Sequence, residues 1–256
     1  MNQEEKYKKV LEEYSNSDIS IKELCKKYHV SDRVIYKAIK NGEIEKRCID
    51  HIYDILIKDK ELFYYLLGLV ASDGYLYDQK NRIEIGLQLS DSKLLEDISY
   101  RIYKENRTYI EEKRNRVRIL LQTKNTYALF KSYGLFQKKS KDLNMDLNKI
   151  PKEYFHHFFR GYMDGDGSYW VHNPSNINMR IVGNKYMTYS FQECIQRYYG
   201  IKSYVYKVKT PANFQMYAWS LQNTPDVKRL INSIYYNANI YLERKYNTIQ
   251  EFLSAV

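Results

Sequence analysis

The chain has 256 residues and carries 41 Lys and Arg against 31 Asp and Glu, a formal net charge of +10 that favours a polyanionic partner. The sequence has no apolar run of about 20 residues and no strongly one-sided amphipathic helix. It also shows no signal peptide, so we expect no membrane association. The chain has three cysteines, Cys25, Cys48 and Cys194, which show no paired spacing. This argues against a zinc site or a disulfide framework and indicates a reducing, cytoplasmic setting.

The first fifty residues contain two short helical patterns between Asp18 and Ile44. The second helix is predicted to begin at Ser31 and to stop at Gly42. This arrangement resembles a helix-turn-helix, in which the second helix enters a major groove of DNA. We therefore expect a DNA-binding domain at residues 1–48 and a linker at 49–60, although short helix pairs are common in other proteins. The outward-facing candidates for DNA contact are Ser31, Arg33, Tyr36, Lys37 and Lys40.

Two stretches of the remaining chain are alike. Leu66 to Gly74 reads L-L-G-L-V-A-S-D-G, and Phe159 to Gly167 reads F-R-G-Y-M-D-G-D-G. Both are largely apolar, with Gly at the third place and Asp-Gly at the end. We expect two repeated units of mixed helix and strand, residues 61–150 and 151–256.

The segments that follow the two stretches also correspond. In the first unit, Ile83, Ile85, Leu87 and Leu89 alternate with Arg82, Glu84, Gln88 and Ser90, which predicts a strand with one buried face. A helix from Asp91 to Lys104 and a hairpin around Asn115 follow. In the second unit we expect strands near residues 169–172 and 178–182 and a helix at 184–199. Two more strands are expected near residues 204–209 and 215–221.

Small residues recur at a spacing of four in each stretch: Gly68 with Ser72, and Gly161 with Gly165. If both stretches are helices, such residues allow the two backbones to approach closely and bring Asp73 and Asp166 together. Adjacent carboxylates at helix C-termini repel each other and the helix dipole, and a divalent cation removes this conflict. One Asp-Gly alone could simply end a core helix in a turn, but two matched copies in a basic chain favour a metal site.

Both stretches resemble the LAGLIDADG motif, and with the repeats the resemblance to LAGLIDADG homing endonucleases covers residues 60–256. It implies an α+β fold of two pseudo-symmetric αββαββα repeats with saddle-shaped antiparallel sheets, following the small all-α N-terminal domain. It also implies that the motif helices form the interface and that the final acids bind Mg²⁺ or Mn²⁺. Ala71 departs from the motif where the second copy keeps Asp164. The implied metal ligands are Asp73 and Asp166, with Ser72 and Gly165 as further candidates.

The same resemblance implies supporting residues around the two acids. A basic residue at the end of each unit helps to activate water or stabilise phosphate charge, which points to Lys139 and Lys245. Solvated surface lysines are the alternative for Lys139, because Lys138 and Lys141 compete for the role. Asp91 and Asn184 match a polar position in the active-site water network, although helix N-capping explains them equally well.

In the family the two sheets lie along the major groove, where alternating strands present polar side chains to base edges. Arg114, Arg116 and Arg118 are predicted to share one strand face, although a solvated basic edge strand would have the same pattern. The candidate DNA contacts of the sheets are Arg82, Gln88, Arg114, Arg116, Arg118, Arg180, Lys207 and Lys209.

The resemblance therefore predicts a monomeric, metal-dependent endonuclease that cuts both strands of a long, roughly asymmetric DNA duplex, in the cytoplasm at the nucleoid. A catalytically inactive DNA-binding regulator and an RNA-splicing maturase remain the alternatives. We expect no intein, because the chain shows no splice-junction nucleophile or terminal His-Asn pair. The adjacent His156 and His157 diverge on a helix and are interpreted as structural or phosphate-facing.

Overall fold

The computed structural model describes residues 3–17, 19, 21–44, 50–137, 142–209 and 215–255. Contacts divide the chain into two compact units, residues 1–49 and 50–256. No helix in these described ranges is long and apolar enough to cross a membrane.

The described residues of the N-terminal unit form three helices: α1 (Gln3–Asn16), α2 (Ile21–Tyr28) and α3 (Asp32–Lys40). Val10, Tyr14, Leu24 and Ile35 are buried and form its core. The two helices expected between Asp18 and Ile44 are present, and the Ser31 side chain accepts a hydrogen bond from Arg33 N at the start of α3. Helix α1 was not anticipated, because its buried face is only three residues within a largely charged segment.

The second unit begins with α4 (His51–Lys58), where we expected a linker. Ile52 and Leu56 are buried on this helix. Asp50 caps it by accepting a hydrogen bond from Tyr53 N at 3.0 Å. Most of the segment predicted as a linker is therefore a packed helix, because its apolar residues are spaced by four.

Two αββαββα repeats make up the rest of the second unit, as predicted. The first consists of α5 (Lys60–Ser72), β1 (Gly74–Tyr77), β2 (Arg82–Gln88), α6 (Ser92–Tyr103), β3 (Tyr109–Glu111), β4 (Arg116–Gln122) and α7 (Lys124–Ser132). The second consists of α8 (Lys152–Gly165), β5 (Gly167–Asn173), β6 (Asn176–Gly183), α9 (Lys185–Tyr199), β7 (Tyr204–Val208), β8 (Met216–Leu221) and α10 (Thr224–Tyr235), followed by α11 (Glu243–Ser254). Each repeat forms a four-stranded antiparallel sheet, with orders β1-β2-β4-β3 and β5-β6-β8-β7.

Strand β4 and most of β6 alternate in burial, and two expectations for the first sheet need correction. Strand β2 ends at Gln88, because Leu89 to Asp91 form a 3-10 turn. Arg114 also lies in a 3-10 turn, and the next residue, Asn115, has φ 47° and ends that turn. The prediction that Arg114 shares a strand face with Arg116 and Arg118 is therefore wrong, whereas the hairpin at Asn115 is confirmed.

The registers of the two sheets define equivalent positions. Gly74 pairs with Ile85 at the start of the first sheet, and Gly167 pairs with Ile181 at the start of the second. Counting one residue back along β2 and β6 makes Glu84 equivalent to Arg180. Both lie on the sheet face that does not pack on the helices, since their neighbours Ile83, Ile85 and Ile181 are fully buried.

Candidate metal site and nucleic-acid interface

The two motif helices, α5 and α8, pack backbone to backbone through glycine. A β-carbon added to Gly68 would lie 2.0 Å from the Phe158 carbonyl oxygen. One added to Gly161 would lie 2.0 Å from the Tyr65 carbonyl oxygen. Only glycine allows this approach, so the sequence expectation of closely packed motif helices is met at both sites.

The same packing brings the ends of the helices together. Asp73 and Asp166 are the C-terminal cap residues of α5 and α8, and both are exposed. A β-carbon on Gly165 would lie 2.9 Å from Asp73 Oδ2, which places the Asp73 carboxylate against the last turn of α8. Both carboxylates also raise the pKa of Tyr162, after the larger effect of its burial. The structure therefore places the two acids at one end of the helix pair.

Lys245, on α11, is buried beneath this end. Its Nζ donates to the carbonyl oxygens of Met163, Asp164 and Gly167 at 2.7, 2.7 and 2.6 Å. The Gly165 carbonyl lies at 3.1 Å and is thus also engaged by the ammonium group. Burial lowers the pKa of Lys245 to about 8, while Asp164, Asp73 and Asp166 oppose that shift. The ammonium group holds the C-terminal turn of α8, where helix carbonyls concentrate negative potential.

The remaining candidates around the acids have definite placements. The Ser72 hydroxyl donates back into its own helix, to Leu69 O at 3.0 Å. Asp91 is buried and accepts from Arg244 Nε at 3.1 Å, and its side chain makes no capping bond within the described part of α6. Asn184 caps α9 by accepting from Met187 N at 2.9 Å. Lys139 lies outside the described residues.

Asp164, the sixth residue of the second motif, is fully buried rather than part of the exposed site. Its Oδ2 accepts from Tyr65 OH at 2.7 Å and from Leu242 N at 2.9 Å. Burial raises the pKa of Asp164 to about 6, although these two hydrogen bonds act in the opposite direction. Because Tyr65 lies on α5, this carboxyl group joins the two repeats; Ala71 at the matching place in the first motif has no such group.

We expect Asp164→Asn to alter how stability depends on pH. The pKa of Asp164 is 3.8 in the unfolded reference and about 6 when folded, so protonation favours the folded state. As pH falls from above 6 to below 4, the wild type should gain about 3 kcal/mol relative to the variant. Urea unfolding of both proteins across this range measures the difference, and titrating groups that do not interact with Asp164 cancel in it. A constant difference between the two proteins would contradict the assignment.

Arg160 is a second buried polar residue that connects the two repeats, and it was not predicted from the sequence. It is fully buried and donates to the carbonyl oxygens of Ile240 and Ile234 at 2.9 and 2.6 Å. It also pairs with Glu61 of α5 at 3.1 Å. His157 Nδ1 lies 3.1 Å from the same guanidinium, and burial lowers the pKa of His157 to about 3. A basic residue inside a largely apolar motif was the available signal.

On the outer face of the first sheet, arginines surround the buried carboxylate of Glu84. Glu84 lies 3.3 Å from Arg116 Nη2, 3.5 Å from Arg118 Nη1 and 3.9 Å from Arg82 Nη2. Arg118 Nε also lies 2.9 Å from Glu111 Oε1. The exposed Gln88 pairs across the sheet with Arg116. Arg82, Gln88, Arg116 and Arg118 therefore share one surface, as the strand alternation predicted.

The outer face of the second sheet is mainly aromatic. Arg180 lies near the centre, with its guanidinium 5.7 Å from the centre of the Tyr206 ring. Trp170 and Tyr204, which are 65% and 64% exposed, lie on the same face. Lys207 pairs with Tyr217 and so faces the opposite side of the sheet from Arg180. Lys209 follows the end of β7 and is exposed.

The candidates in the N-terminal unit form one exposed surface of α3. Ile35 and Ala38 are buried and Val34 and Ile39 are half-buried, as the helical spacing predicted. The five candidate residues lie on the exposed side of this helix or at its cap: Ser31, Arg33, Tyr36, Lys37 and Lys40.

A site for a divalent metal requires oxygen ligands with room for water. The described residues contain no cluster of three or more His, Cys, Asp and Glu side chains. Two exposed carboxylates at converging helix ends nevertheless fit Mg²⁺ or Mn²⁺, which bind through few carboxylates and retain water. The Ser72 hydroxyl and the Gly165 carbonyl are already hydrogen-bonded within the protein.

No protein-family model and no curated protein matches the sequence. Solved structures do match. The meganuclease I-SmaMI bound to uncleavable DNA is 11% identical, with a TM-score of 0.50 over 75% of this chain and 88% of that one. A variant of I-DmoI in complex with its target DNA in the presence of magnesium is 14% identical, with a TM-score of 0.51 over 70% of this chain and 98% of that one. With its two αββαββα repeats joined by glycine-packed motif helices, the chain has the fold of the LAGLIDADG homing endonucleases.

Proposed function

We propose that the protein is a site-specific homing endonuclease that hydrolyses both strands of a long, roughly asymmetric DNA duplex. The observation that carries this proposal is the convergence of Asp73 and Asp166 at the ends of two backbone-packed helices. Each acid directly precedes the first strand of a sheet. The proposed metal site therefore lies next to the sheets that are proposed to bind the duplex. Such an enzyme acts where genomic DNA lies, at the nucleoid in the cytoplasm.

The two aspartates are proposed to hold Mg²⁺ or Mn²⁺. When bound, such a metal lowers the pKa of a coordinated water and stabilises the leaving oxygen in phosphodiester hydrolysis. The chain contributes a preformed position for the acids, because Lys245 fixes the turn that carries Asp166. Lys139 as a second basic group, and Asp91 and Asn184 as members of a water network, remain predictions.

Duplex DNA is the partner that best fits the surface. The chain carries a net charge of +10, and guanidinium groups cover the outer face of the first sheet. I-SmaMI and I-DmoI, which share the fold, were both solved with DNA. Arginine suits both phosphate and guanine edges, so this face can supply affinity as well as sequence readout.

Incubation of the protein with a library of randomised duplexes and magnesium, followed by sequencing of the cut ends, tests the proposal. We expect double-strand breaks at one extended sequence and none without divalent metal. Selective binding without any cutting would instead indicate a DNA-binding regulator. Preferential binding of structured RNA over duplex DNA would indicate a maturase.

We expect the protein to act as a monomer, because both repeats of the pseudo-symmetric site are already present in one chain. Sedimentation of the protein with an excess of its selected duplex should give one chain per duplex. A dimer that assembles on one site and is required for cutting would contradict this expectation.

Deletion of residues 1–48 is expected to weaken binding and to flatten its salt dependence, while cutting persists at low salt. Arg33, Lys37 and Lys40 are exposed on α3, and each phosphate contact contributes about 0.9 to the slope of log affinity against log salt. Losing two or three contacts should reduce the slope by roughly 2 to 3. Titrations at several salt concentrations measure this change. If the truncated protein kept the same affinity and salt slope, the N-terminal unit would not contribute to DNA binding.

A further inference from the structure

A buried carboxylate lies at the centre of the surface proposed to contact DNA. The Glu84 side chain is only 4% exposed, although it lies on the outer face of the first sheet. Arginine side chains cover it: Arg116 and Arg118 each lie within hydrogen-bonding distance, and Arg82 is slightly farther away. A negative charge at this point opposes contact with phosphate, so it is not explained by affinity for DNA.

The second sheet has the opposite charge at the equivalent position. Arg180 occupies the place of Glu84, and Ser168 and Ser220 are its cross-strand neighbours. The positions equivalent to Arg118 and Arg116 are Ala218 and Met216, which carry no charge. The carboxylate and its paired arginines are therefore a property of the first sheet and not of the fold.

The backbone beside Glu84 is shaped to receive one of these arginines. Gly86 lies between Glu84 and Gln88 on the outer face, and the Arg116 guanidinium lies directly above it. A β-carbon at Gly86 would lie 2.2 Å from Arg116 Nη2 and 2.3 Å from its Nε. Glu84 and Gly86 together thus hold Arg116 low on the sheet in one orientation, while Glu84 and Glu111 hold Arg118 from two sides.

We propose that Glu84 is a specificity-determining residue, which orients Arg116 and Arg118 toward guanine edges in one half of the DNA target. This inference rests on the proposed function. A guanidinium held in one orientation loses less freedom when it donates two hydrogen bonds to guanine. The same carboxylate weakens binding to duplexes that offer only phosphate contacts, because it partly neutralises the arginines. Glu84 therefore reduces non-specific affinity and preserves selective affinity.

The test compares binding of two probes by the full chain without divalent metal, so that no duplex is cut. One probe is a duplex selected from a randomised library by the unaltered protein, and the other is a scrambled duplex of the same composition. For Glu84→Gln we expect the ratio of the two affinities to fall about fivefold or more. The loss should come mainly from tighter binding of the scrambled duplex, whose salt slope should steepen by about 0.9.

Two further variants separate orientation from charge. Gly86→Ala keeps the carboxylate but displaces the Arg116 guanidinium, so it should weaken binding of the selected duplex and leave the salt slope of the scrambled duplex unchanged. Glu112→Gln removes the same charge from the exposed β3–β4 hairpin, where Glu112 makes no ion pair with any described residue. It should preserve the ratio. Circular dichroism confirms that each variant is folded.

The outcomes distinguish this inference from the proposed function. If the unaltered protein selects and cuts one duplex but Glu84→Gln keeps the same affinity ratio, the role of Glu84 is wrong and the endonuclease assignment stands. If Glu112→Gln lowers the ratio as much as Glu84→Gln does, overall charge rather than arginine orientation is responsible, and the inference fails. If the unaltered protein prefers no duplex over the scrambled one, both proposals fail.

Discussion

Replacing Asp73 or Asp166 with asparagine is expected to abolish double-strand cutting while duplex binding changes no more than a few-fold. Asparagine keeps the shape of the side chain but removes the charge that would hold a divalent metal. Both acids lie at helix ends, whereas the candidate contacts Arg82, Gln88, Arg116 and Arg118 lie on strands, so we expect DNA affinity to depend little on these carboxylates.

Plasmid cutting with magnesium, and affinity for the selected duplex without it, measure the two effects separately. Asp164→Asn provides a matched control, because this third motif acid is buried and joined to Tyr65 and Leu242 instead of facing solvent. It should retain cutting. Undiminished cutting by Asp73→Asn or Asp166→Asn would remove the proposed metal mechanism.

Replacing Gly161 with alanine is expected to cause a large loss of stability from a single added methyl group. The added carbon would lie 2.0 Å from a backbone carbonyl oxygen of the facing helix, which cannot move aside as a flexible side chain can. Overpacking costs about 1–3 kcal/mol where side chains adjust, so we expect a loss of about 3 kcal/mol or more here. Urea unfolding measures it.

Gly183 is the matched control for this substitution. A β-carbon there would lie 3.8 Å from its nearest neighbours, Thr188 Cγ2 and Tyr162 OH, which is ordinary contact. Gly183→Ala should change the free energy of unfolding by less than about 1 kcal/mol. Gly68→Ala should resemble Gly161→Ala, because its added carbon meets the Phe158 carbonyl oxygen at the same distance. Equal stability of Gly161→Ala and Gly183→Ala would show that the helices do not pack this closely.

Patterns of period and spacing predicted two repeats of mixed helix and strand, and the family resemblance implied their αββαββα order. The alternation from Ile83 to Leu87 identified a strand and its buried face. The small residues at a spacing of four, Gly68 with Ser72 and Gly161 with Gly165, indicated the helix contact. Helices α1 and α4 were not predicted, because their apolar faces are short and lie among charged residues. Arg114 was misplaced because Asn115 adopts a left-handed conformation that interrupts the alternation.

The environment of individual side chains was harder to predict, because spacing gives a position along the chain and not a direction in space. The family resemblance implied that Lys245 acts on water or phosphate. Its ammonium instead lies on the carbonyls that end α8. Glu84 was assigned to the polar strand face without a role, and its three arginine neighbours come from both β2 and β4. Such groupings depend on register between strands that are distant in sequence.

The shared core of the two repeats also determines how residues 50–256 should unfold. Tyr65 bonds to Asp164, Glu61 bonds to Arg160, and one continuous set of buried side chains runs through both repeats. Separating the repeats would expose the apolar faces of α5 and α8 and leave buried charges without partners, so we expect neither repeat to fold alone. Calorimetry should therefore show one cooperative transition for residues 50–256, and the two repeats produced as separate polypeptides should fold only when mixed.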